Sequence, residues 1–559
     1  MVEAEAIGLQ REFPQVGPEA VLGLEVNPYA AELARVSVWI GHIQWARRHG
    51  FPAPSDPVLR TLDTIACRDA VLADDGRQAA WPRANVIVGN PPFLGDKTMP
   101  GTLGEKYTLQ LRRTYHEQVP GSADLVCYWF ERAREEIACN RTKRVGFVST
   151  QSIRKGSNHA VLSRIRETGV IFDAWDDEPW TVDGADVRVS LVCFSGKDNE
   201  DLRKLDGQPV AEIFSDLSAG GSDITQAYRL IEDRGFCHQG PVKVGAFDVD
   251  GATARQWLTE PSNANGRHNS DVVRPWINGM DLTRRPSDTW IIDFSDMNET
   301  EAAFFSKSFA HVALHVKPER EQNRRDRRRR MWWQHGETVP GLRAALKPLS
   351  RFIATPRVAK HRIFAWCPVI TLPDSRVYAI ARDDDVTFGI LQSRFHECWA
   401  LQHASRHGVG NDPTYNSLTC FETFPFPPGL TPNRAAASYA DDPRAQDIAQ
   451  AAKALVTARD RWLNPPELVI HAPEVVLGFP ERLLPRNALA AATLRSRTLT
   501  ALYNQHGKPE RAWLDSLHRT LDEAVAAAYG WPADLLDGEV LARLLALNHE
   551  RSLPVLISN

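Results

Sequence analysis

Apolar runs separated by polar stretches mark the first 200 residues of the chain. Strand-like runs occur at residues 21–26, 86–88, 144–148 and 189–194. Between these runs, residues 30–46 and 123–138 carry apolar side chains at helical spacing, which predicts two helices. Strands that alternate with helices are typical of an α/β fold built on a parallel sheet. We therefore predict such a domain in residues 1–200.

In the remainder of the chain, the residue composition and the pattern of apolar positions change twice. Residues 201–265 are polar and rich in glycine and serine, which predicts a connecting segment. Residues 266–430 contain short β-like runs, many aromatic residues and many turns, which favours a second, mixed α/β domain. Residues 431–559 are rich in alanine and leucine at helical spacing, so we predict a helical C-terminal region.

Composition indicates a soluble globular protein and excludes several classes. Hydrophobic residues make up 43% of the 559 residues and charged residues 24%. The net charge of -4 means that any surface for nucleic acid must be local. No apolar run approaches the ~20 residues of a membrane span, and the acidic N-terminus lacks the features of a signal peptide. The eight scattered cysteines show no CxxC spacing, so we predict no metal site and a reducing, cytoplasmic location.

The most informative chemistry follows the second strand-like run, at Asn90-Pro91-Pro92-Phe93. The side-chain oxygen of Asn90 and the carbonyl of Pro91 can both accept hydrogen bonds from one planar amine. Pro91 and Pro92 fix the backbone and remove competing donors, while Phe93 offers a flat face to a ring. This pattern predicts a socket that holds an exocyclic amine. The plain alternative is a strand followed by a proline-rich turn.

Two acidic residues upstream are candidates for binding an adenosine group. Glu25 ends the first predicted strand, where an acidic side chain can bind both ribose hydroxyls. Asn27 and Pro28 follow and open the first helix, with Pro28 suited to its first turn. Asp69 precedes the strand that carries the amine socket and could accept from an adenine amine. The structural alternative for Glu25 is a carboxylate that interacts with a helix dipole, and for Asp69 a loop or capping aspartate.

The chain resembles S-adenosylmethionine-dependent adenine-N6 DNA methyltransferases, whose motifs it matches in order at residues 25–29, Asp69 and residues 90–93. Further stretches, residues 119–125 and 180–194, resemble a large branch of that family found in restriction-modification and BREX- or DISARM-like phage-defence systems. The resemblance implies a Rossmann-like catalytic sheet, S-adenosylmethionine as cofactor and double-stranded DNA as partner. It implies that Asn90, Pro91, Pro92 and Phe93 are catalytic and that Glu25, Asn27 and Asp69 bind the cofactor. It also implies a flipped adenine, packed against Trp180 or residues 187–190.

One departure from the family pattern concerns the cofactor. Family members begin with a strand that ends in a glycine-rich loop, whereas the residues before Glu25 contain only Gly8, Gly17 and Gly23, with no GxG. We therefore expect the first, central strand and its loop to be missing from the sheet. A sequence that starts too late, an upstream-encoded partner chain or a defective remnant would each explain this. We expect the chain alone to bind S-adenosylmethionine poorly.

Residues 274–279 and 424–427 resemble the target-recognition region of this family, so we expect residues 266–430 to form a DNA target-recognition domain. This domain contains clusters of basic residues that would suit DNA phosphates. The first cluster is Arg324, Arg325, Arg327, Arg328, Arg329 and Arg330, followed by Trp332 and Trp333. The second comprises Arg351, Arg357, Lys360, His361 and Arg362, and residues 408–412 form a polar loop that could approach DNA. A solvated helix face is the alternative for the arginine run.

Two other functions remain open at this point. The same amine socket would serve a protein-glutamine or RNA methyltransferase, although such enzymes lack a large second domain. A non-catalytic DNA-binding subunit, or half of a split methyltransferase, would explain the missing glycine-rich loop. Association with restriction or defence subunits is expected in either case, and no nuclease constellation is convincing.

Overall fold

The computed structural model describes residues 16–51, 62–182, 185–198, 202–219, 224–407 and 412–552. The chain divides into two compact units, residues 1–225 and 226–559. Residues 201–265, predicted to be a connection, are shared between the units: short strands at 204–205 and 208–209 extend a sheet of the first unit, and strands at 237–239 and 248–250 belong to the second. Among the described residues, no helix combines the length and apolarity that crossing a membrane would require.

The first unit alternates strands and helices, as predicted. Its strands are β1 Gly23–Glu25, β2 Ile65–Cys67, β3 Val86–Gly89, β4 Arg144–Thr150, β5 Gly169–Val182, β6 Ala185–Gly196, β7 Lys204–Leu205 and β8 Gln208–Pro209. Its helices are α1 Pro28–Arg48, α2 Met99–Leu103, α3 Glu105–Thr114, α4 Val126–Ala138 and α5 His159–Thr168.

The strands of this unit form two separate sheets. A two-stranded sheet pairs β1 with β2 in parallel, and a six-stranded sheet has the order β3-β4-β6-β5-β7-β8. The prediction of a parallel sheet is correct for β3 with β4, whereas β4 with β6 and β6 with β5 are antiparallel. β5 and β6 are adjacent in sequence and pair as a long hairpin, which requires antiparallel strands.

Helix α1 begins where the sequence predicts. The side chain of Asn27 accepts hydrogen bonds from the backbone N–H groups of Tyr29 (2.9 Å) and Ala30 (3.3 Å), and Pro28 occupies the first turn. Such a cap satisfies N–H groups that have no partner inside the helix. This local arrangement fixes the direction in which the chain leaves β1.

The core of the first unit lies between α4 and the six-stranded sheet. Phe130 of α4 packs against Phe147 of β4 and Phe194 of β6, at ring-centroid distances of 5.2 and 6.0 Å. Helix α4 also buries two carboxylates completely, Glu131 and Glu136, each paired with arginines. Because a buried charge is tolerated only with partners, these ion pairs fix the position of α4 against the sheet.

The second unit contains two four-stranded sheets and helices. One sheet has the order β10-β12-β11-β15 and the other β14-β13-β16-β9. The strands are β9 Cys237–Gln239, β10 Asp248–Asp250, β11 Val273–Ile277, β12 Thr289–Ile292, β13 Arg351–Pro356, β14 Ala365–Pro368, β15 Leu372–Pro373, β16 Val377–Ile380, β17 Arg406–His407, β18 Asp412–Pro413, β19 Val469–Ala472 and β20 Arg482–Pro485. The helices are α6 Gly251–Leu258, α7 Gly279–Thr283, α8 Glu299–Ala303, α9 Ser306–His315, α10 Lys317–Glu321, α11 Asp326–Arg330, α12 Pro340–Leu346, α13 Asp385–Gln392, α14 Arg394–His403, α15 Pro443–Leu463, α16 Ala488–Ser496, α17 Leu499–Tyr503, α18 Ala512–Tyr529 and α19 Asp537–Ser552.

Most of the last 130 residues are helical, but they also contain the β19–β20 hairpin. Helix α15 packs against α13 and α18, so these helices belong to the body of the second unit. The four residues Phe424-Pro425-Phe426-Pro427 lie in this unit too, and the Phe424 and Phe426 rings are fully buried. Their burial makes them core residues rather than surface contacts.

Candidate active site

The first unit contains a cavity of about 860 Å³ between β1 and β3. Its lining includes Glu25 and Asp69 on one side and Asn90 on the other. The aromatic side chains that line it are Trp81, Tyr107, Trp129 and Phe147. Acidic acceptors, flat apolar walls and a volume in the range of small-molecule sites suit a ligand that carries an aromatic ring.

The amine socket lies where β3 ends. Asn90 follows Gly89, which pairs with Phe147 of β4, and a β-carbon at position 89 would lie 3.3 Å from the Phe147 ring. A glycine therefore allows β3 to approach β4 closely at the point where the socket begins. The Asn90 side chain is exposed and, within the described part of the chain, forms no hydrogen bond, so its oxygen is available to an incoming amine.

Asp124 holds the loop that follows the socket, a role that the sequence alone did not reveal. Its Oδ1 accepts from the backbone N–H of Asp96 (3.0 Å), and its Oδ2 accepts from the Ser152 hydroxyl (2.9 Å) and the Asn158 amide (2.7 Å). The Asp124 N–H donates in turn to Oδ1 of Asn158 (2.7 Å). A backbone hydrogen bond from the N–H of Leu125 to the carbonyl of Leu94 (2.9 Å) adds to these contacts. Together these bonds fix residues 94–96 to the start of α4 and to the segment before α5.

Two of the three predicted cofactor residues line the cavity. Glu25 lies at its rim, and its Oε1 accepts from the N–H of Asn27 (2.8 Å). Asp69 accepts from the N–H groups of Val71 (2.7 Å) and Leu72 (3.0 Å), so the alternative role of a loop aspartate is also present. Asn27 is not part of the lining, because its side chain caps α1.

Tyr107 was missed by sequence reasoning, and it positions Asp69. Its hydroxyl donates to Oδ2 of Asp69 at 2.6 Å. Burial, together with the Asp69 carboxylate, raises the pKa of Tyr107 far above its usual range, so the phenol remains a donor at neutral pH. Oδ2 of Asp69 keeps a second lone pair, which leaves it able to accept one further hydrogen bond in the cavity.

The residues expected to contact a flipped base are only partly brought together. Phe93 is half-buried next to the socket but is not among the residues that line the cavity. Trp180 lies in strand β5, not in a loop, and 39% of it is exposed. Val189 and Ser190 are buried inside β6, so these two residues do not form the predicted base-contacting loop.

The arginine run of the second unit forms the short helix α11 and the turn before it. Arg324 and Arg325 are exposed, and within the described residues their guanidinium groups have no hydrogen-bond or ion-pair partner. Arg329 and Arg330 are exposed too, and both pair with Asp326 at 2.7 Å. Arg327 donates to the carbonyl of Gly336 (2.9 Å) and Arg328 lies 3.7 Å from Glu337, so both side chains have partners within the chain.

Three residues placed near DNA by sequence reasoning are buried. The prediction that Trp332 and Trp333 accompany the arginines at the surface is wrong, because both are core residues, 6% and 5% exposed. Arg362 is also buried, where it donates to the carbonyls of Pro356 and Pro413. Their aromatic or long aliphatic surface is used for packing.

Of the rest of the second basic group, Arg351 and His361 are half-buried, and Arg357 and Lys360 are exposed. The ammonium group of Lys360 donates to the Asn504 side chain at 2.7 Å. Of the predicted polar loop at residues 408–412, residues 408–411 lie outside the described residues.

Comparison with known proteins gives consistent results. Residues 2–205 match the family model of the MmeI DNA-methyltransferase domain. DNA methyltransferase A of Bacillus subtilis (strain 168) is 22% identical over 451 residues, which is 76% of this chain and 49% of the relative. The chain thus spans about half the length of this curated relative.

Among solved structures, the type IIL restriction-modification enzyme MmeI in complex with DNA is similar to this chain. The TM-score is 0.71 at 18% identity, over 96% of this chain and 67% of the MmeI chain. At this identity the likeness concerns the fold, which confirms the mixed α/β architecture. The matches agree with the motif order of the first unit: residues 2–205 are similar to the MmeI DNA-methyltransferase domain, and the chain is similar in fold to MmeI.

Proposed function

We propose that this chain transfers a methyl group from S-adenosylmethionine to the exocyclic N6 amine of an adenine in double-stranded DNA, within a restriction-modification or phage-defence system. The observation that carries the proposal is the uncommitted Asn90 side chain at the mouth of the cavity, followed by Pro91, Pro92 and Phe93. Two planar acceptors beside a stacking ring select an exocyclic amine over a hydroxyl or a carbon nucleophile.

The residues of the cavity fit the proposed cofactor. Glu25 offers a carboxylate to ribose hydroxyls, and the free lone pair of Asp69 offers an acceptor to the adenine amine. The aromatic lining supplies a flat wall for the adenine ring. The cofactor would supply an electrophilic methyl group on a sulfonium sulfur.

The amine is activated mainly by orientation. The Asn90 oxygen and the Pro91 carbonyl accept hydrogen bonds from its two N–H groups, which leaves the nitrogen lone pair directed at the methyl carbon. S-adenosylmethionine, when bound, would supply the methyl group and take the electron pair of the C–S bond onto sulfur, and the amine nitrogen would release one proton to solvent at the exposed rim. Phe93 stacks on the base, which must leave the duplex because its amine is unreachable in the stack. No side chain with a shifted pKa is required.

DNA binding is proposed for the exposed arginines of the second unit. Arg324 and Arg325 have no internal partner in the described structure and are free to contact phosphates. Arg357 is exposed and, among the described residues, its guanidinium has no hydrogen-bond or ion-pair partner either. Arg329, Arg330 and Lys360 are exposed but have internal partners, so we expect them to contribute less.

The test is transfer of a labelled methyl group to duplex DNA, with the methylated nucleoside identified by mass spectrometry. It uses the chain in its active assembly, together with any polypeptide that it requires. We expect N6-methyladenine as the product and a fall in kcat of about 10²–10³ for Asn90→Ala, the usual loss on removal of one oriented transition-state group. The matched control is Asn85→Ala, which removes an exposed asparagine before the other end of β3 and should leave kcat unchanged.

Two results would contradict the proposal. Methylation of cytosine, RNA or a protein amide would show that the socket accepts another amine. Full activity of Asn90→Ala would show that this side chain does not orient the amine.

A further inference from the structure

The second unit contains a cavity of about 730 Å³ that shares no lining residue with the candidate active site. Strands β11 and β12 and helices α15 and α16 contribute to its lining, and β20 with the hairpin loop before it forms a further wall. Protein interiors rarely contain voids much larger than a water molecule, whereas small-molecule sites have volumes of this order. We call this space the second cavity and regard it as a candidate binding site.

The walls of the second cavity are mainly apolar. Trp276 and Trp290 line it on the side of β11 and β12, and both are otherwise core residues. Trp366 lines it as well, and its ring is held by stacking on Phe388 at a centroid distance of 5.0 Å. The indole N–H of Trp366 is buried and has no hydrogen-bond partner in the described part of the chain. Buried donors are normally paired, so an acceptor on a ligand at this wall would complete the pairing.

Asp460 offers a free carboxylate to the second cavity. Among the described residues, its side chain accepts no hydrogen bond and forms no ion pair. The adjacent Arg459 donates instead to the Gln392 side chain (3.1 Å) and to the carbonyl of Phe364 (2.8 Å). Solvent reaches Asp460, but the surrounding protein desolvates its carboxyl group and raises the pKa of Asp460 above its usual range. This carboxylate is therefore available to an N–H or O–H donor of a ligand.

Three arginines line the second cavity without an acidic partner in the described structure. Arg285 donates to the carbonyl of Leu463 (3.1 Å) and forms no ion pair, and burial lowers the pKa of Arg285. Arg284 and Arg495 are exposed, and their guanidinium groups have no partner among those residues. Guanidinium groups bind carboxylates and phosphates through paired hydrogen bonds. The second cavity therefore combines apolar walls and one free acceptor with cationic groups that lack a counter-charge.

We propose that the second cavity binds a small molecule in which a heteroaromatic ring with an N–H donor is joined to an anionic group, the chemistry of a purine nucleoside monophosphate. The ring lies against the tryptophan wall and donates to Asp460. The phosphate binds Arg285, with Arg284 and Arg495 at the entrance. This binding concerns the second unit alone and does not depend on methyl transfer by the first.

The test is calorimetric titration of the full 559-residue chain with adenosine 5′-monophosphate. We expect saturable binding of one molecule per chain at a site that is insensitive to Glu25→Gln, since Glu25 lines only the active-site cavity. Hydrogen exchange should show new protection of amides in Arg482–Pro485, the strand that walls the second cavity. At this site, adenosine and inorganic phosphate should each bind at least about tenfold more weakly, because each lacks part of the contacts.

Variants of the lining residues give a second measurement. Asp460→Ala and Arg285→Gln should each weaken binding at least about tenfold, because each removes a charged hydrogen-bonding group. Ala491→Phe, which fills space in the second cavity without changing its charge, should abolish binding. The matched controls are Asp447→Ala and Arg461→Gln, at exposed positions of α15 outside this lining, and both should bind like the wild type. Thermal unfolding checks that each variant is folded, and Asp460→Ala should not be less stable, since it removes a desolvated carboxylate without a partner.

Several outcomes would overturn the inference. One is the absence of binding, and another is binding that all three folded lining variants leave unchanged. Inorganic phosphate that binds as tightly as the nucleotide would exclude a role for the aromatic ring. Protection confined to the first unit, or loss of binding in Glu25→Gln, would assign the nucleotide to the active-site cavity. Displacement of the nucleotide by a short DNA duplex would assign these arginines to the DNA backbone instead.

Discussion

Replacement of Asp124 by alanine should loosen the loop that presents the amine socket. The carboxylate accepts three hydrogen bonds, from Asp96, Ser152 and Asn158, at 2.7–3.0 Å. A hydrogen bond to a charged group contributes about 1.5–3 kcal/mol to stability. The full sum is not expected, because the Asn158 amide also donates to Ser152 and Asp124 is only half-buried. We therefore expect Asp124→Ala to lower the free energy of unfolding of the first unit by about 3 kcal/mol.

The assay is urea unfolding followed by circular dichroism, together with hydrogen exchange of the amides of residues 94–96. Asp124→Asn should cost less, about 1 kcal/mol, because its oxygen still accepts while its amide opposes that of Asn158. Asp74→Ala, at an exposed aspartate without a described hydrogen bond, should stay within about 0.5 kcal/mol of the wild type.

Methyl transfer gives a second readout for the same variant. Asp124 lies beside the socket but is not among the residues that line the cavity. A loop held less firmly should misplace the amine, so kcat should fall about 10²-fold while KM for the cofactor stays unchanged. If Asp124→Ala unfolds like the wild type and residues 94–96 exchange no faster, this carboxylate does not hold the loop and the reasoning fails.

Three further predictions test other parts of the structure. Glu136→Gln should lower the free energy of unfolding by about 3 kcal/mol, because it removes a fully buried carboxylate that pairs with Arg132 and Arg141. The exposed Glu117→Gln is the control in the same urea experiment and should change little. Burial raises the pKa of Asp522 to about 7. The folded state therefore retains a proton that the unfolded state loses near about pH 4. The stability contributed by this group is lost as pH rises through about 7. Relative to the wild type, Asp522→Asn should therefore gain about 2 kcal/mol between about pH 5 and pH 8, and a constant difference would contradict this account. Replacement of Arg324 and Arg325 by glutamine should weaken DNA binding similarly for all sequences. It should also make the slope of log K against log salt concentration shallower by about two, and an unchanged slope would exclude phosphate contact.

Local sequence determined much of the first unit. The period of apolar residues located β1, β3, β4 and β6, and Asn27-Pro28 located the start of α1, because these signals depend on neighbours in sequence. The sequence also pointed to the cavity: Glu25, Asp69 and Asn90, which are far apart along the chain, all line it. Their order matched a family pattern, and the family model and the fold comparison agree with it.

The long strand β5 was not predicted, and the antiparallel hairpin that it forms with β6 replaced an expected parallel arrangement. Its apolar residues are interrupted by acidic ones, so periodicity gave a weak signal, and only pairing with β6 stabilises the extended form. Trp332, Trp333 and Arg362 were assigned to the surface because residue type does not reveal burial. These side chains are buried because the second unit packs them against distant strands and loops.

By itself, then, the sequence determined local elements of the first unit and led to the proposed amine socket, since both depend on short, contiguous patterns. Only the tertiary structure revealed that Asp124 holds the socket loop and that Tyr107 holds Asp69, because these bonds join residues up to 38 positions apart. The physical reason is that burial and hydrogen bonding between distant residues depend on which elements pack together, and no local pattern encodes that choice.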